Sequence, residues 1–186
     1  LHYHLGVERL DSRGLSTGDT ARVTHASAAG GARIRPWLNL DVALNQNNSR
    51  VGIDDGAFRP DPNRLTTRDE TILSTTLTAT PLESWQQELR FLYHADDTAD
   101  IDPPDPGTSQ ANEETRINTN RYGLDWIHRV SLQSAGLLTT GVQWKDDLAE
   151  SRFTSTVKQW AWFLQHQIEP VDRLTLIGGV RVNQHS

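Results

Sequence analysis

The sequence predicts an all-β chain folded as an antiparallel, up-and-down transmembrane β-barrel wall. Three observations predict it. Apolar and polar residues alternate with period two through most of the chain, the gaps between these segments alternate between short and long, and aromatic residues sit where segments meet gaps. Alternation makes one face of each strand apolar and the other polar. Short turns on one rim and long loops on the other are the wiring of an outer-membrane barrel.

The elements follow in order. Residues 1–9 place Leu1, Tyr3, Leu5 and Val7 on one face and His2, His4 and Glu8 on the other. Asp11-Ser12-Arg13-Gly14 through Gly18-Asp19 is rich in turn formers and predicts a first loop. Residues 20–35 read as a second strand with a run of small residues over 26–32, closed by a tight turn at Arg35-Pro36-Trp37. Leu38, Leu40, Val42 and Leu44 then alternate with Asn39, Asp41, Ala43 and Asn45, running on toward Ile53. A long polar loop is expected over 54–66.

Residues 67–79 set Leu73 and Leu77 opposite Ile72 among many threonines, a composition that favours strand. A tight gap over 80–84 leads to Trp85, Leu89, Phe91 and Tyr93, which face away from Gln86, Glu88, Arg90 and His94; Leu92 breaks the rule. A second long loop is expected over 96–116. Tyr122, Leu124, Trp126 and Val130 alternate with Gly123, Asp125, Ile127 and Arg129, and after a tight gap over 131–136, Leu138, Thr140, Val142 and Trp144 alternate with Thr139, Gly141, Gln143 and Lys145. Residues 153–168 form a long strand whose facing stays open, because Trp160, Trp162 and Leu164 compete with Ala161 and Phe163. Beyond the gap over 169–172, Leu174, Leu176, Gly178, Val180 and Val182 alternate with Thr175, Ile177, Gly179, Arg181 and Asn183. That makes about nine strands in one partial barrel domain over 1–186. No segment has sustained 3.6-residue periodicity with caps.

Composition bounds the alternatives. The 186 residues carry a net charge of −6 and a mean hydropathy of −0.58. No apolar stretch is long enough for a membrane helix, which needs roughly 18 residues or more. A barrel needs none, because only every second residue of its strands meets lipid. The net charge and the presence of only Lys145 and Lys158 as lysines argue against a nucleic-acid partner. The lack of cysteine fits a compartment where free thiols are a liability. The chain opens with neither Met nor a leader, so an internal piece of a longer protein is expected.

Trp37 and Trp85 flank tight turns, while Tyr93, Tyr122 and Trp144 are expected at strand ends beside long loops, as two interfacial girdles. Asp41, Glu88, Arg90, Asp125, Arg129, Lys145 and Arg181 fall on the opposite faces, where only a wet lumen or a polar plug tolerates them. A soluble antiparallel sheet with one face in a core gives the same alternation. Strand length, loop asymmetry and aromatic placement favour the barrel.

Trp126-Ile127-His128-Arg129-Val130, Leu138-Thr139-Thr140-Gly141-Val142-Gln143-Trp144, Trp162-Phe163-Leu164-Gln165-His166-Gln167 and Leu174-Thr175-Leu176-Ile177-Gly178-Gly179-Val180-Arg181-Val182 together resemble successive mid-barrel strands of TonB-dependent outer-membrane receptors. The stretches Asp11-Ser12-Arg13-Gly14 and Arg35-Pro36-Trp37-Leu38 are similar to the cobalamin- and siderophore-receptor branch. The resemblance implies part of a 22-stranded barrel in the Gram-negative outer membrane and a separate N-terminal plug, absent from this chain. It also implies uptake of a scarce small nutrient, a TonB-type energy-coupling partner engaged through the missing N-terminal region, surrounding outer-membrane lipid, and no enzymatic activity. It transfers no ligand-binding residue. A passive porin-like barrel, a barrel enzyme and a soluble antiparallel β binding module are the alternatives.

The run from Asp96 to Asp105 holds five carboxylates, Asp96, Asp97, Asp100, Asp102 and Asp105. Calcium takes several oxygen ligands from a flexible loop, so these are candidate calcium ligands; a solvated acidic outer loop is the plainer reading. Apart from calcium, no cofactor is expected. Asp54-Asp55-Gly56 and Glu113-Glu114 add acidity to the same expected rim. His2 and His4, at i and i+2, would suit a transition metal if a third ligand converged; His166 and His185 stand alone. No Gly-x-Ser-x-Gly signature appears. Gly30-Gly31 and Gly178-Gly179 precede no helix and read as strand glycines at close approaches, not phosphate cradles. Asn47-Asn48-Ser49 matches a glycosylation sequon, which carries no weight in a bacterial barrel.

Overall fold

The computed structural model describes residues 1–14, 20–53, 63–105, 111–171 and 173–186. Nine strands form a single antiparallel sheet in sequence order. They are β1 (His2–Ser12), β2 (Ala21–Arg35), β3 (Leu38–Gly52), β4 (Leu65–Leu82), β5 (Trp85–Asp102), β6 (Glu113–Ser131), β7 (Leu137–Glu150), β8 (Thr154–Val171) and β9 (Leu174–His185). Among the described residues the only helix is a single 3-10 turn, Gln133–Ala135, and β1 and β9 are paired on one side only.

Register turns the period-two pattern into two surfaces. One cross-strand row runs Tyr3, Gly30, Val42, Thr75, Phe91, Leu124, Trp144, Trp160 and Gln184. One residue along each strand, the next row runs His2, Gly31, Asp41, Thr76, Arg90, Asp125, Gln143, Ala161 and Asn183. Side chains on successive residues point to opposite faces. The first row therefore lies on an apolar outer wall and the second on a polar inner one. All seven charges assigned to the polar faces, from Asp41 to Arg181, share the inner wall.

Among the described residues nothing covers the outer wall: Trp126, Val142 and Val180 are 49%, 40% and 51% exposed. Apolar exposure this continuous marks a surface that meets lipid or another apolar partner. Among the described residues buried positions are few, chiefly Ala99, Ile127 and Ala161, because these residues form a single sheet with no second layer to pack against. A row runs perpendicular to the strands, and strands in a membrane barrel tilt. Along the row Leu44, Leu73, Tyr93 and Tyr122 the outer residues accordingly give way to Asp146 and Lys158, which pair with each other.

Two expectations are corrected. The 96–116 segment is not one long loop: β5 continues through Asp102 and β6 begins at Glu113, leaving a connection over 103–112. Tyr93, Tyr122 and Trp144 consequently lie inside long strands and not at their ends. The open facing of β8 is settled as well, since Trp160 and Trp162 pair with Trp144 and Val142 on the outer wall and Phe163 points inward over Gly141. Leu92, the exception in β5, lies inward against Gly123, where a Cβ would find it at 3.5 Å.

The gaps alternate as the rhythm predicts, with one departure. Short turns join β2–β3, β4–β5, β6–β7 and β8–β9, three of them beside a register shift, at Arg33/Arg35, Ala79/Leu82 and Ile168/Val171. Longer connections join β1–β2, β3–β4 and β5–β6, whereas β7–β8 turns within residues 151–153. Asp54, Asp55 and Gly56, and the Gly18-Asp19 end of the first loop, lie outside the described residues.

Candidate functional site

The inner wall carries the chemistry, in two storeys, a lower one level with the stretch between Trp85 and Tyr93 of β5 and an upper one from His94 onward. Trp85 and Tyr93 both lie on the outer face of β5, eight residues apart. That spans about 26 Å along the strand and about 20 Å in height at a tilt of roughly 40°, against an apolar band of roughly 25 Å. Each belongs to an aromatic group: Trp85 stacks on His128, which also meets Trp126 at 4.6 Å, and Tyr93 lies 5.1 Å from Tyr122.

In the lower storey, the buried carboxylate of Glu88 accepts from Arg129 Nη1 at 3.0 Å and has Arg90 against its other oxygen. A buried carboxylate is tolerable only when paired in this way. Inward-pointing Ile127, Ala161 and Phe163 form an apolar strip beside it, and Phe163 occupies the space above Gly141. At the β9 side, Arg181 donates to Gln143 and Asn183, with Lys145, Gln159 and His185 alongside. The cleft between them has about 20 Å³ of room, enough for one water.

The upper storey is made by β4, β5, β6 and β7 where they run past the aromatic row. Here the acidic run adopts strand alternation, so Asp96, Asp100 and Asp102 point inward and Asp97 points outward. Each of three carboxylates takes an arginine from a neighbouring segment. Asp96 accepts from Arg68 Nε at 2.5 Å, Asp97 from Arg116 at 2.6 and 2.8 Å, and Asp100 from Arg64 at 2.8 Å. The Arg116 guanidinium holds the Asp97 carboxyl below its ordinary range, and Arg64 does the same for Asp100. Burial pushes Asp96 up, but hydrogen bonds from Arg68 and Thr98 outweigh it and the net direction is down.

The five candidate calcium ligands therefore do not converge. Asp96, Asp97 and Asp100 are divided between two faces and engaged by cations, and Asp105 lies past the end of β5. What the register does bring together is Glu70, His94 and Asp96. Their ligand atoms lie within 4.8 Å of one another, the one such group of three among the described residues. Glu70 pairs with Asp96 across β4 and β5, and His94 sits one inward position along. Pairs this distant in sequence are invisible without the register.

The remaining histidines go elsewhere. His2 Nε2 lies 3.3 Å from Asp41, reaching over Gly31, whose missing side chain leaves the space. His166 bonds the Ala135 carbonyl at 2.7 Å beside the β6–β7 turn. Glu113 and Glu114, expected in a loop, open β6.

A family model described as TonB dependent receptor-like, beta-barrel, matches residues 6–186. No curated protein matches the chain.

Proposed function

As the chain belongs to the TonB-dependent receptor-like β-barrel family, we propose that it forms part of the barrel wall of an active transporter in the Gram-negative outer membrane, taking up a scarce nutrient such as cobalamin or a ferric siderophore. The observation that carries this reading is the division of the nine strands, over the stretch between the aromatic groups, into a largely apolar outer wall and a charged inner one. An inner wall bearing Asp41, Arg90, Asp125 and Arg181 at strand centres needs water, a plug or a polar cargo against it. The aromatic pairs near Trp85 and Tyr93 are spaced for the two headgroup layers. Strands running on past Tyr93 would carry the charged storey above the outer leaflet, where cargo arrives. Energy coupling would come from a TonB-type protein acting on a plug contributed by another part of the receptor.

The test is made on the full-length receptor. Reconstituted in a planar bilayer it should be nearly closed, and in cells its cargo uptake should vanish when the proton gradient is collapsed. A steady open conductance together with gradient-independent uptake would make the barrel a passive pore and overturn the proposal.

A further inference from the structure

The geometry points to a divalent transition-metal site of the zinc class on the inner wall, formed by Glu70, His94 and Asp96, with the Arg68 guanidinium holding the ligands in the metal's absence. One imidazole and two carboxylates suit such a cation better than calcium or magnesium, which take oxygen ligands alone. Three observations support it.

First, the donors stand on paired strands and not on a loop. Glu70 is directly opposite Asp96, and His94 opposite Ile72, so the hydrogen-bonded ladder fixes their backbones. His94 Nε2 and Glu70 Oε1 are already 3.0 Å apart, close to the spacing of adjacent ligands on one ion with bonds of about 2.0–2.2 Å. Second, the donors are sheltered, with side chains 15–23% exposed. Thr98 Oγ1 donates to Asp96 Oδ1 at 2.7 Å, the outer support that orients a ligating carboxylate. Third, the place of a cation is already taken by one. Arg68 Nη2 touches both Asp96 and Glu70, the latter at 2.9 Å.

Arg68 is itself 44% exposed, so its side chain can leave toward the lumen without opening the sheet. Metal binding is thus an exchange. The ion takes the two carboxylates and neutral His94, and the guanidinium moves into water. The site lies at the outer edge of the bilayer band, beginning one residue past Tyr93, and does not depend on which cargo the barrel carries.

The exchange gives opposite expectations for two substitutions. Zinc ion is titrated calorimetrically into the full-length receptor in detergent after chelator treatment, with cobalt absorption reporting a bound imidazole and low coordination number. Wild type should bind at this site, and His94→Ala should lose that binding. Arg68→Gln should bind about tenfold more tightly, because removing a competitor held by two partly exposed ion pairs is worth roughly that much. Asp69→Asn, on the outward face of the same strand, should bind as wild type does. Zinc binding unchanged in His94→Ala, or affinity in Arg68→Gln equal to or weaker than wild type, would overturn the site. Should His94→Ala fail to fold, the Arg68→Gln comparison decides alone.

Discussion

Phe163 lies across the face of Gly141. A Cβ on that glycine would fall 2.6 Å from the ring's Cζ and 2.8 Å from the carbonyl oxygen of Trp126. Both residues point inward, and Gly141 pairs with Phe163 on one side and Ile127 on the other. The strand glycine makes room for a neighbour's ring within the apolar strip of a largely polar wall. Gly141→Val should therefore destabilise the barrel by about 1–3 kcal/mol through overpacking. Urea unfolding in lipid vesicles measures it. Phe163→Ala in the same chain should restore only part of the loss, because the Trp126 carbonyl remains.

Glycine has a different role at the β6–β7 turn. Gly136 has φ of +95°, and a Cβ there would stand 2.0 Å from the Gln167 carbonyl oxygen. Gly136→Ala should cost more than about 1 kcal/mol, combining left-handed backbone strain with a backbone clash. Gly178, with nothing within 4 Å of its Cβ position, is the control. Gly178→Ala should be neutral or slightly stabilising, since it restricts the unfolded chain at no steric cost. The two melting temperatures, compared by the loss of heat-modifiable migration, should separate clearly; equal shifts would refute the turn geometry.

The strand count, their order along the chain and the face of nearly every residue were legible in the sequence, because period two is a local signal. What failed was set by neighbours. The run from Asp96 to Asp102 reads as loop because aspartate is disfavoured in strands. The arginines that offset its charge, Arg68, Arg116 and Arg64, come from other segments. The facing of β8 stayed open because Trp162 and Phe163 are alike as apolar residues, and only Gly141 on β7 provides space for one of them. The grouping of Glu70, His94 and Asp96 is likewise a product of register alone.

The two faces can be told apart by a single charge. Val142, on the outer wall of β7 and paired with Trp126 and Trp162, lies between the two aromatic groups; its neighbour Gln143 faces inward. Val142→Arg should cost about 2–4 kcal/mol, the penalty for arginine near the midplane of a barrel's lipid face. Gln143→Arg should cost far less, because its side chain meets a wet lumen. Folding titrations into lipid vesicles give both numbers. Equal costs would mean that the outer wall does not face lipid, as in a soluble sheet.

Acid should loosen the upper storey, and the window follows from its ion pairs. The Asp97 carboxyl is held below its ordinary range by Arg116, and that of Asp100 by Arg64. Both stand beyond Tyr93, with Asp97 about 13 Å further along the strand at roughly 3.3 Å per residue. A depressed carboxyl contributes stability that is complete above its unfolded value of about 3.9 and fades as pH falls through the lower folded value. Each exposed tie is weak on its own because solvent screens it, too little to unfold the barrel but enough to free strand ends. The chain has no cysteine, so Ile117→Cys, opposite Thr98 on β6, places one spin label there without background. Its spectrum should be the same at pH 7 and pH 5 and become more mobile below about pH 4. In Arg116→Gln the label should already be more mobile at neutral pH, with a smaller change on acidification because the Asp97 tie is already gone and only the Asp100–Arg64 and Asp96–Arg68 ties remain to be lost. A transition between pH 7 and 5 would instead point to a histidine, and would mean that these carboxylate–arginine ties do not hold the upper strands together.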